Sequence, residues 1–227
     1  MIWLDYTILI VIGLAISLLS QAFISITYKK YKKINNKKLI SGAETARKIL
    51  SANGLDKIYV VETQGYLTDH YDPRAKVIRL SQDIYRGETI AAASVAAHEV
   101  GHAIQDKENY KFMRVRSSLV PITNIGSKFG YLVILAGVFL NMMGLLYLGL
   151  ILLGSILLFQ LVTLPVEFNA SKRGKKNLEK LNILTKSELN SASKVLGAAA
   201  FTYVASFITT IIELMRYLLI ANNGRRR

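Results

Sequence analysis

The chain has 227 residues, of which 52% are hydrophobic, and a formal net charge of +14. A hydrophobic fraction this high is unusual for a soluble protein and predicts membrane-spanning segments. The absence of cysteine excludes disulfide bridges and thiolate metal ligands. The positive charge clusters beside apolar segments and has no interleaved aromatic residues on a soluble face, so it favours attraction to anionic lipid headgroups and argues against nucleic-acid binding.

The first predicted element is an uncharged segment from Thr7 to Ile26, which is long enough for one transmembrane helix. A cleaved signal peptide is the alternative. No basic segment precedes the apolar residues, however, and no small-residue cleavage site follows them. We therefore expect a retained transmembrane helix.

The next region predicts mixed secondary structure. Residues 41–55 have a serine at the N-cap position, an apolar stripe and a glycine after the end, which predict an amphipathic helix. Residues 57–64 alternate as a strand does, and residues 66–81 indicate two strands around an Asp-Pro-Arg turn. A helix at about 88–106 follows these elements. Helix, strand, hairpin and then a metal-binding helix is the order expected of a zincin-like domain. In such domains an edge strand can bind an extended peptide, and either hairpin strand could be that edge.

The helix at 88–106 contains two of the three histidines in the chain, within the sequence VAAHEVGHAIQD. His98 and His102 are one turn apart on the same helix face, so their imidazoles can hold one metal ion. Glu99 projects about 100° from His98, near enough to reach a water molecule on that ion. The pattern is H-E-x-x-H, which combines two zinc ligands with a general base. In an apolar helix, a purely structural role for these polar residues would be costly.

A catalytic zinc site usually has three protein ligands, and two residues are candidates for the third. One is His70 in the predicted hairpin, and the other is Glu167, which directly follows a long uncharged segment. His70 could equally donate to an oxyanion, contact the substrate, or be a turn residue bonded to neighbouring aspartates or the backbone. Tyr71 and Tyr110 are possible donors on weaker grounds.

The uncharged segment at 129–164 is too long for one span. The sequence NMMG at 141–144 offers a turn, so we predict a helical hairpin of 119–140 and 145–164. The apolar C-terminal segment contains Glu213 and Arg216, which are three residues apart and could pair on a helix. That segment could span the bilayer, pack against the hairpin or lie at the interface.

Three sequences, AAHEVGHAIQD, LTDHYDPRAKVIRLS and LPVEFNASKRG, together resemble the YugP-like neutral zinc metallopeptidases of bacterial and archaeal membranes. A more distant similarity is to the HtpX-like and CAAX-prenyl membrane peptidases, whose third ligand is the glutamate of an E-x-x-A-D helix. The resemblance places that glutamate at Glu167 and the alanine at Ala170, whereas the aspartate position holds Ser171. In the distant family that aspartate supports a zinc-binding histidine, and this chain departs from the pattern at that position. The resemblance implies one zinc ion per chain, bound by His98, His102 and Glu167.

These interpretations predict an α+β fold. They predict a polytopic helical membrane protein with a small zincin-like catalytic domain at the cytoplasmic membrane surface. The predicted parts are an N-terminal transmembrane helix (1–28), the catalytic region (29–118), a transmembrane hairpin (119–164), a helix with the third metal ligand (165–192), and a C-terminal apolar helix with a basic tail (193–227).

The basic clusters predict the orientation of the chain in the membrane. YKKYKKINNKK follows the first span and SKRGKK follows the third, and such clusters favour the cytoplasmic side. The catalytic region and Glu167 then lie on the same side, as a shared metal site requires. The final GRRR favours a cytoplasmic C-terminus, which conflicts with this arrangement if the fourth apolar segment spans fully.

The predicted function is that of a multi-pass, zinc-dependent endopeptidase of the cell membrane that acts on membrane or misfolded polypeptides, with Glu99 as general base. A non-catalytic, metal-stabilised membrane protein is one alternative, but it gives Glu99 no use. An ion or proton transporter that uses Glu167 and Glu213 is another, but it leaves the histidine pair unexplained. An intramembrane site-2-type peptidase would need a later aspartate ligand, and no L-D-G or N-x-x-D-G sequence follows residue 106.

Overall fold

The computed structural model describes residues 2–224 of the chain. Its helices are α1 (Ile2–Tyr31), α2 (Gly42–Ala52), α3 (Gln82–Tyr85), α4 (Ile90–Lys107), α5 (Lys111–Phe139), α6 (Met143–Lys180) and α7 (Lys186–Gly224), and its strands are β1 (Tyr59–Thr63), β2 (His70–Asp72) and β3 (Val77–Ser81). The described residues are thus mostly helical with one small sheet, in agreement with the predicted α+β class. The arginines of the predicted basic tail, Arg225–Arg227, lie outside the described residues.

Four helices within the described residues are long and apolar enough to cross a membrane. They are Thr7–Tyr31, Lys111–Phe139, Met143–Lys180 and Lys186–Asn222. Large apolar side chains on these helices are exposed, among them Leu18, Phe139 and Ile151. Such apolar surfaces are unusual in soluble monomers and typical of surfaces that contact lipid or protein. The fourth apolar segment therefore has the length and composition of a span.

The predicted turn between the second and third apolar helices is confirmed. Helix α5 ends at Phe139, α6 begins at Met143, and Asn141 between them has a φ of 53°, a left-handed conformation that asparagine tolerates. Helix α6 then continues through Pro165 to Lys180. The separate helix predicted from residue 165 is therefore a continuation of α6. One proline removes a single helix hydrogen bond and can be accommodated where the surroundings compensate.

The chain divides into two compact units, and the first consists of Met1–Gln21, Lys111–Leu164 and Thr202–Arg227. Its core contains a buried apolar cluster of Ile134, Leu146, Leu153 and Ala221. In the same unit the Tyr131 hydroxyl donates a hydrogen bond to Glu213, and the Arg216 guanidinium lies 4.6 Å from the centre of the Tyr217 ring.

The second unit, Ala22–Tyr110 with Pro165–Phe201, contains the sheet. Strand β3 is central, with β1 parallel on one side and β2 antiparallel on the other. The predicted hairpin of β2 and β3 is therefore confirmed, and of its two strands only β2 is an edge strand. The left-handed conformation of Lys76, φ 51°, lies in the connection between them.

Helices α2 and α4 of the second unit pack against each other. Helix α2 begins directly after its predicted cap, and α4 begins two residues after its predicted start. Ser41 caps α2 and forms a reciprocal capping box with Glu44. Thr89 caps α4 by accepting a hydrogen bond from the amide of Ala92. The alanines of α4 are almost completely buried, and small side chains allow neighbouring elements to approach this helix closely.

Candidate metal centre

Helix α4 places the two histidines of the H-E-x-x-H sequence side by side. The Nε2 atoms of His98 and His102 lie 3.2 Å apart, and the ring centres are 4.7 Å apart and nearly perpendicular. Both rings are largely buried. The i, i+4 spacing therefore gives the geometry that the sequence predicted.

Helix α6 brings Glu167 to this pair. Its Oε2 atom lies 3.2 Å from Nε2 of His98 and 3.6 Å from Nε2 of His102, and the residue is only 3% exposed. The three side chains form a group of potential metal ligands. Of the two candidates for the third ligand, the structure places Glu167 at the histidine pair. His70 is not in this group; it lies exposed on β2, where its Nδ1 is 2.7 Å from the Thr68 carbonyl oxygen.

Helices α4 and α6 approach this closely because glycine lies at their contact. A Cβ atom on Gly101 would lie 2.3 Å from the carbonyl oxygen of Ala170, and one on Gly174 would lie 2.6 Å from that of Ala97. A Cβ at either distance would force a backbone to move. The glycine inside the H-E-x-x-H sequence thus permits the helix contact that brings Glu167 to the histidines.

The ligand atoms have the spacing that a zinc ion requires. Zinc binds imidazole nitrogen and carboxylate oxygen at about 2.0–2.2 Å in tetrahedral geometry, so neighbouring ligand atoms lie about 3.3–3.5 Å apart. The observed separations of 3.2, 3.2 and 3.6 Å fit this arrangement. Two imidazoles and one carboxylate also form a donor set of catalytic zinc sites, which leave a fourth position for water.

Each histidine makes a further hydrogen bond through Nδ1, on the ring edge away from Glu167. His98 Nδ1 lies 3.0 Å from Oγ of Ser171, and His102 Nδ1 lies 3.0 Å from Oε1 of Gln105. Ser171, at the position where the distant family has aspartate, is thus itself the partner of His98. Gln105 is not among the residues predicted from the sequence, although a polar residue three positions after a histidine in an apolar helix is a signal for it.

Glu99 is buried beside the histidine pair, with an exposure of 7%. Burial raises the pKa of Glu99 to about 7, and the nearby carboxylates of Glu167 and Asp69 act in the same direction. His98 and a hydrogen bond from the backbone amide of Tyr71 oppose this rise. A carboxyl group with a pKa near neutrality can both accept and return a proton.

The two tyrosines considered from the sequence have other contacts. The Tyr71 side chain is buried, and its hydroxyl donates a hydrogen bond of 2.8 Å to Asp106. The Tyr110 ring lies 6.0 Å from the guanidinium of Arg173. It is the backbone of Tyr71, on the edge strand β2, that contacts Glu99.

The chain is similar to known proteins over nearly its whole length. A family model described as "Putative neutral zinc metallopeptidase" matches residues 6–222. The chain belongs to this family. A relative named "Putative membrane protease YugP", from Bacillus subtilis (strain 168), is 42% identical over 220 residues, which cover 97% of this chain and 98% of the relative. No solved structure matches the chain.

Membership of this zinc peptidase family bears on the centre in two ways. The match runs from residue 6 to residue 222 and so includes both α4 and the part of α6 that carries Glu167. The family description names zinc, the metal that the spacing of the three ligand atoms fits.

Proposed function

We propose that this protein is a zinc-dependent membrane endopeptidase, with zinc bound by His98, His102 and Glu167 and with Glu99 as general base. The observation that carries the proposal is the convergence of these three ligand atoms beside a buried carboxyl group of raised pKa. A metal site that only stabilised the fold would need no such carboxyl group.

In the proposed reaction, a zinc ion held by these three residues would supply Lewis acidity, which polarises a carbonyl group and lowers the pKa of a water molecule to about 7. Glu99 accepts a proton from the water molecule that attacks the peptide carbonyl. It then passes this proton to the leaving amine, so that it ends the cycle in its starting state.

The proposed substrate is an extended polypeptide, from a membrane or misfolded protein. Strand β2 is an edge strand, and its residue Tyr71 contacts Glu99 through the backbone. A peptide added along β2 would form main-chain hydrogen bonds next to the general base, as substrates do in zincin-like domains.

The decisive experiment replaces Glu99 by glutamine and measures zinc content and peptide hydrolysis on the same purified sample. Glu99→Gln keeps the side-chain volume, so we expect zinc to remain near one per chain while the rate falls about 10²–10⁴-fold. The control is Glu179→Gln, an exposed carboxylate on α6, which should leave both values unchanged. Equal, measurable rates for Glu99→Gln and wild type would exclude Glu99 as the general base. A zinc-loaded wild type that hydrolyses no peptide would favour the alternative of a non-catalytic, metal-stabilised membrane protein.

We also propose that the second unit faces the cytoplasm in a multi-pass arrangement, with its basic clusters near anionic lipid headgroups. The chain has no cysteine, so single cysteines can report orientation directly. Cysteines at Lys37, Lys107 and Lys175 should be shielded from an impermeant thiol reagent added outside intact cells. A cysteine at Met142, in the turn before α6, should react. External labelling at Lys107 would reverse the proposed orientation.

A further inference from the structure

Gln105 is a completely buried amide on α4 that connects His102 to the helix carrying Glu167. Its Oε1 atom lies 3.0 Å from Nδ1 of His102. Its Nε2 atom donates a hydrogen bond of 2.8 Å to the backbone carbonyl of Val166, the residue directly before Glu167. One side chain thus contacts a proposed ligand on α4 and the backbone beside a proposed ligand on α6.

The surroundings leave only one orientation for this amide group. The Val166 carbonyl can only accept a hydrogen bond, so the atom facing it must be the nitrogen of Gln105. That nitrogen also donates to Oδ1 of Asn169 at 3.0 Å. The same Oδ1 accepts a hydrogen bond from Nε of Arg173, which can only donate, and this fixes the Asn169 amide as well.

The orientation of Gln105 determines the tautomer of His102. Since Oε1 of Gln105 can only accept, Nδ1 of His102 must carry a proton, and in the neutral ring Nε2 then keeps its lone pair. Nε2 is the atom that faces Glu167. His98 has no such constraint from its partner, because the Ser171 hydroxyl can either donate or accept.

We propose that Gln105 is a positioning residue that holds His102 in the tautomer able to bind metal and keeps the Glu167 segment of α6 in register with α4. Asn169 and Arg173 complete the hydrogen-bond chain that fixes the amide. The inference rests on the proposed metal centre, and it adds a residue whose function is to set ligand chemistry before any metal binds. Residues that orient metal ligands in this way are typically worth about 10–100-fold in metal affinity.

The test compares Gln105→Met, Gln105→Glu and wild type by two measurements. The first is ¹⁵N NMR of the imidazole rings in metal-free protein in detergent at about pH 8.5, which is tractable because the chain has three histidines. We expect His102 to carry its proton on Nδ1 in wild type. In Gln105→Met the acceptor is lost, so we expect a mixture of the two tautomers.

The second measurement is zinc affinity, determined by competition with a chelator. We expect Gln105→Met to bind zinc about 10–100-fold more weakly than wild type. Gln105→Glu keeps an oxygen that accepts from Nδ1 of His102 whether or not its carboxyl group is protonated, so it should preserve the tautomer and recover most of the affinity. Asn177→Ala is the control, since this amide contacts Asn53 and the Arg173 carbonyl but not Gln105, and its affinity should stay within about threefold of wild type.

Two results would overturn the inference. One is an unchanged His102 tautomer together with unchanged zinc affinity in Gln105→Met; the other is a wild-type His102 that carries its proton on Nε2. If Gln105→Met does not fold, Gln105→Glu provides the test. This variant keeps the acceptor, so a folded Gln105→Glu protein in which His102 no longer carries its proton on Nδ1 would also overturn the inference. If wild-type protein bound no zinc, the proposed function would fail, while the tautomer measurement would still test Gln105 by itself.

Discussion

Helix α6 runs through both units. Its part before residue 165 approaches α5 closely at glycines in the first unit, and its part from residue 165 onward approaches α4 in the same way in the second unit. A Cβ on Gly126 would lie 2.5 Å from the Leu152 carbonyl oxygen, and a Cβ on Gly101 would lie 2.3 Å from that of Ala170. The first contact adjoins an apolar cluster that includes Ile134 and Leu153. The second holds two histidines, two glutamates and a glutamine away from solvent.

The difference shows that close helix packing by itself does not create a metal site. The side chains that the packing brings together determine whether a site forms. In the first unit a small displacement of the helices would cost packing energy. In the second it would also change the distances between ligand atoms, to which metal binding is sensitive within a few tenths of an ångström. Equivalent substitutions in the two contacts should therefore have different consequences.

The largest effect is expected from the ligands themselves. His98→Ala, His102→Ala or Glu167→Ala should each lower zinc affinity by more than the roughly 100-fold upper range for residues that only support ligands. Chelator competition on purified protein measures this, with wild type at about one zinc per chain. The matched variant in the first unit, Glu213→Ala, should keep full affinity. Full zinc binding by Glu167→Ala would remove it from the ligand set and make His70 the next residue to test.

The next effect separates the two glycine contacts. Gly101→Ala must push α6 away from α4, so we expect zinc affinity to fall about 10–100-fold, comparable to the loss of a supporting residue. Gly126→Ala should lower the thermal stability of the protein but leave zinc affinity within about threefold of wild type. Equal losses of affinity in both variants would mean that the two contacts do not differ as proposed.

A further effect concerns the cost in folding stability of burying the charged Glu99 carboxylate. The folded-state pKa of Glu99 is about 7, against an ordinary value of 4.5, so the folded protein binds this proton more tightly than the unfolded chain. In metal-free protein the stability should fall as the pH rises from about 4.5 to 7 and then level off. Glu99→Gln has no ionisable group at this position and so does not lose this stability. Its free energy of unfolding should exceed that of wild type by about 3 kcal/mol above pH 7, and by much less at pH 5.

Thermal unfolding of metal-free protein at pH 5 and pH 8 measures this difference. Glu62→Gln, which changes a carboxylate of β1 that is paired with Arg86 at the surface, is the control and should show no comparable gain at pH 8. A Glu99→Gln protein that is no more stable than wild type at pH 8 would contradict the assigned pKa.

The smallest effect is expected at Ser171. Ser171→Ala removes the hydroxyl that contacts His98 and should weaken zinc binding by about tenfold or less. Ser171→Asp introduces a carboxylate, which accepts a hydrogen bond more strongly and raises the basicity of the ligand, so it should bind zinc at least as tightly as wild type. If Ser171→Asp bound zinc more weakly than Ser171→Ala, Ser171 would not support His98 in the proposed way.

The sequence by itself determined the features that depend on local spacing. The i, i+4 histidines place two imidazoles on one face of any helix, and Ser41 with Glu44 defines a capping box within four residues. The strand pattern of residues 66–81, the turn near Asn141 and the four apolar segments are likewise local, since each depends on neighbours in the chain.

Only the tertiary structure decided which distant residues meet. Glu167 is 65 positions from His102, and no local pattern chose between it and His70. The choice depends on Gly101 and Gly174, whose missing side chains allow α6 to lie against α4. The same contact buries Gln105 between His102 and Val166, and burial of an amide requires that each of its polar atoms find a partner. The ligand set and its supporting hydrogen bonds thus follow from how closely two helices can approach, which the sequence of neither helix determines alone.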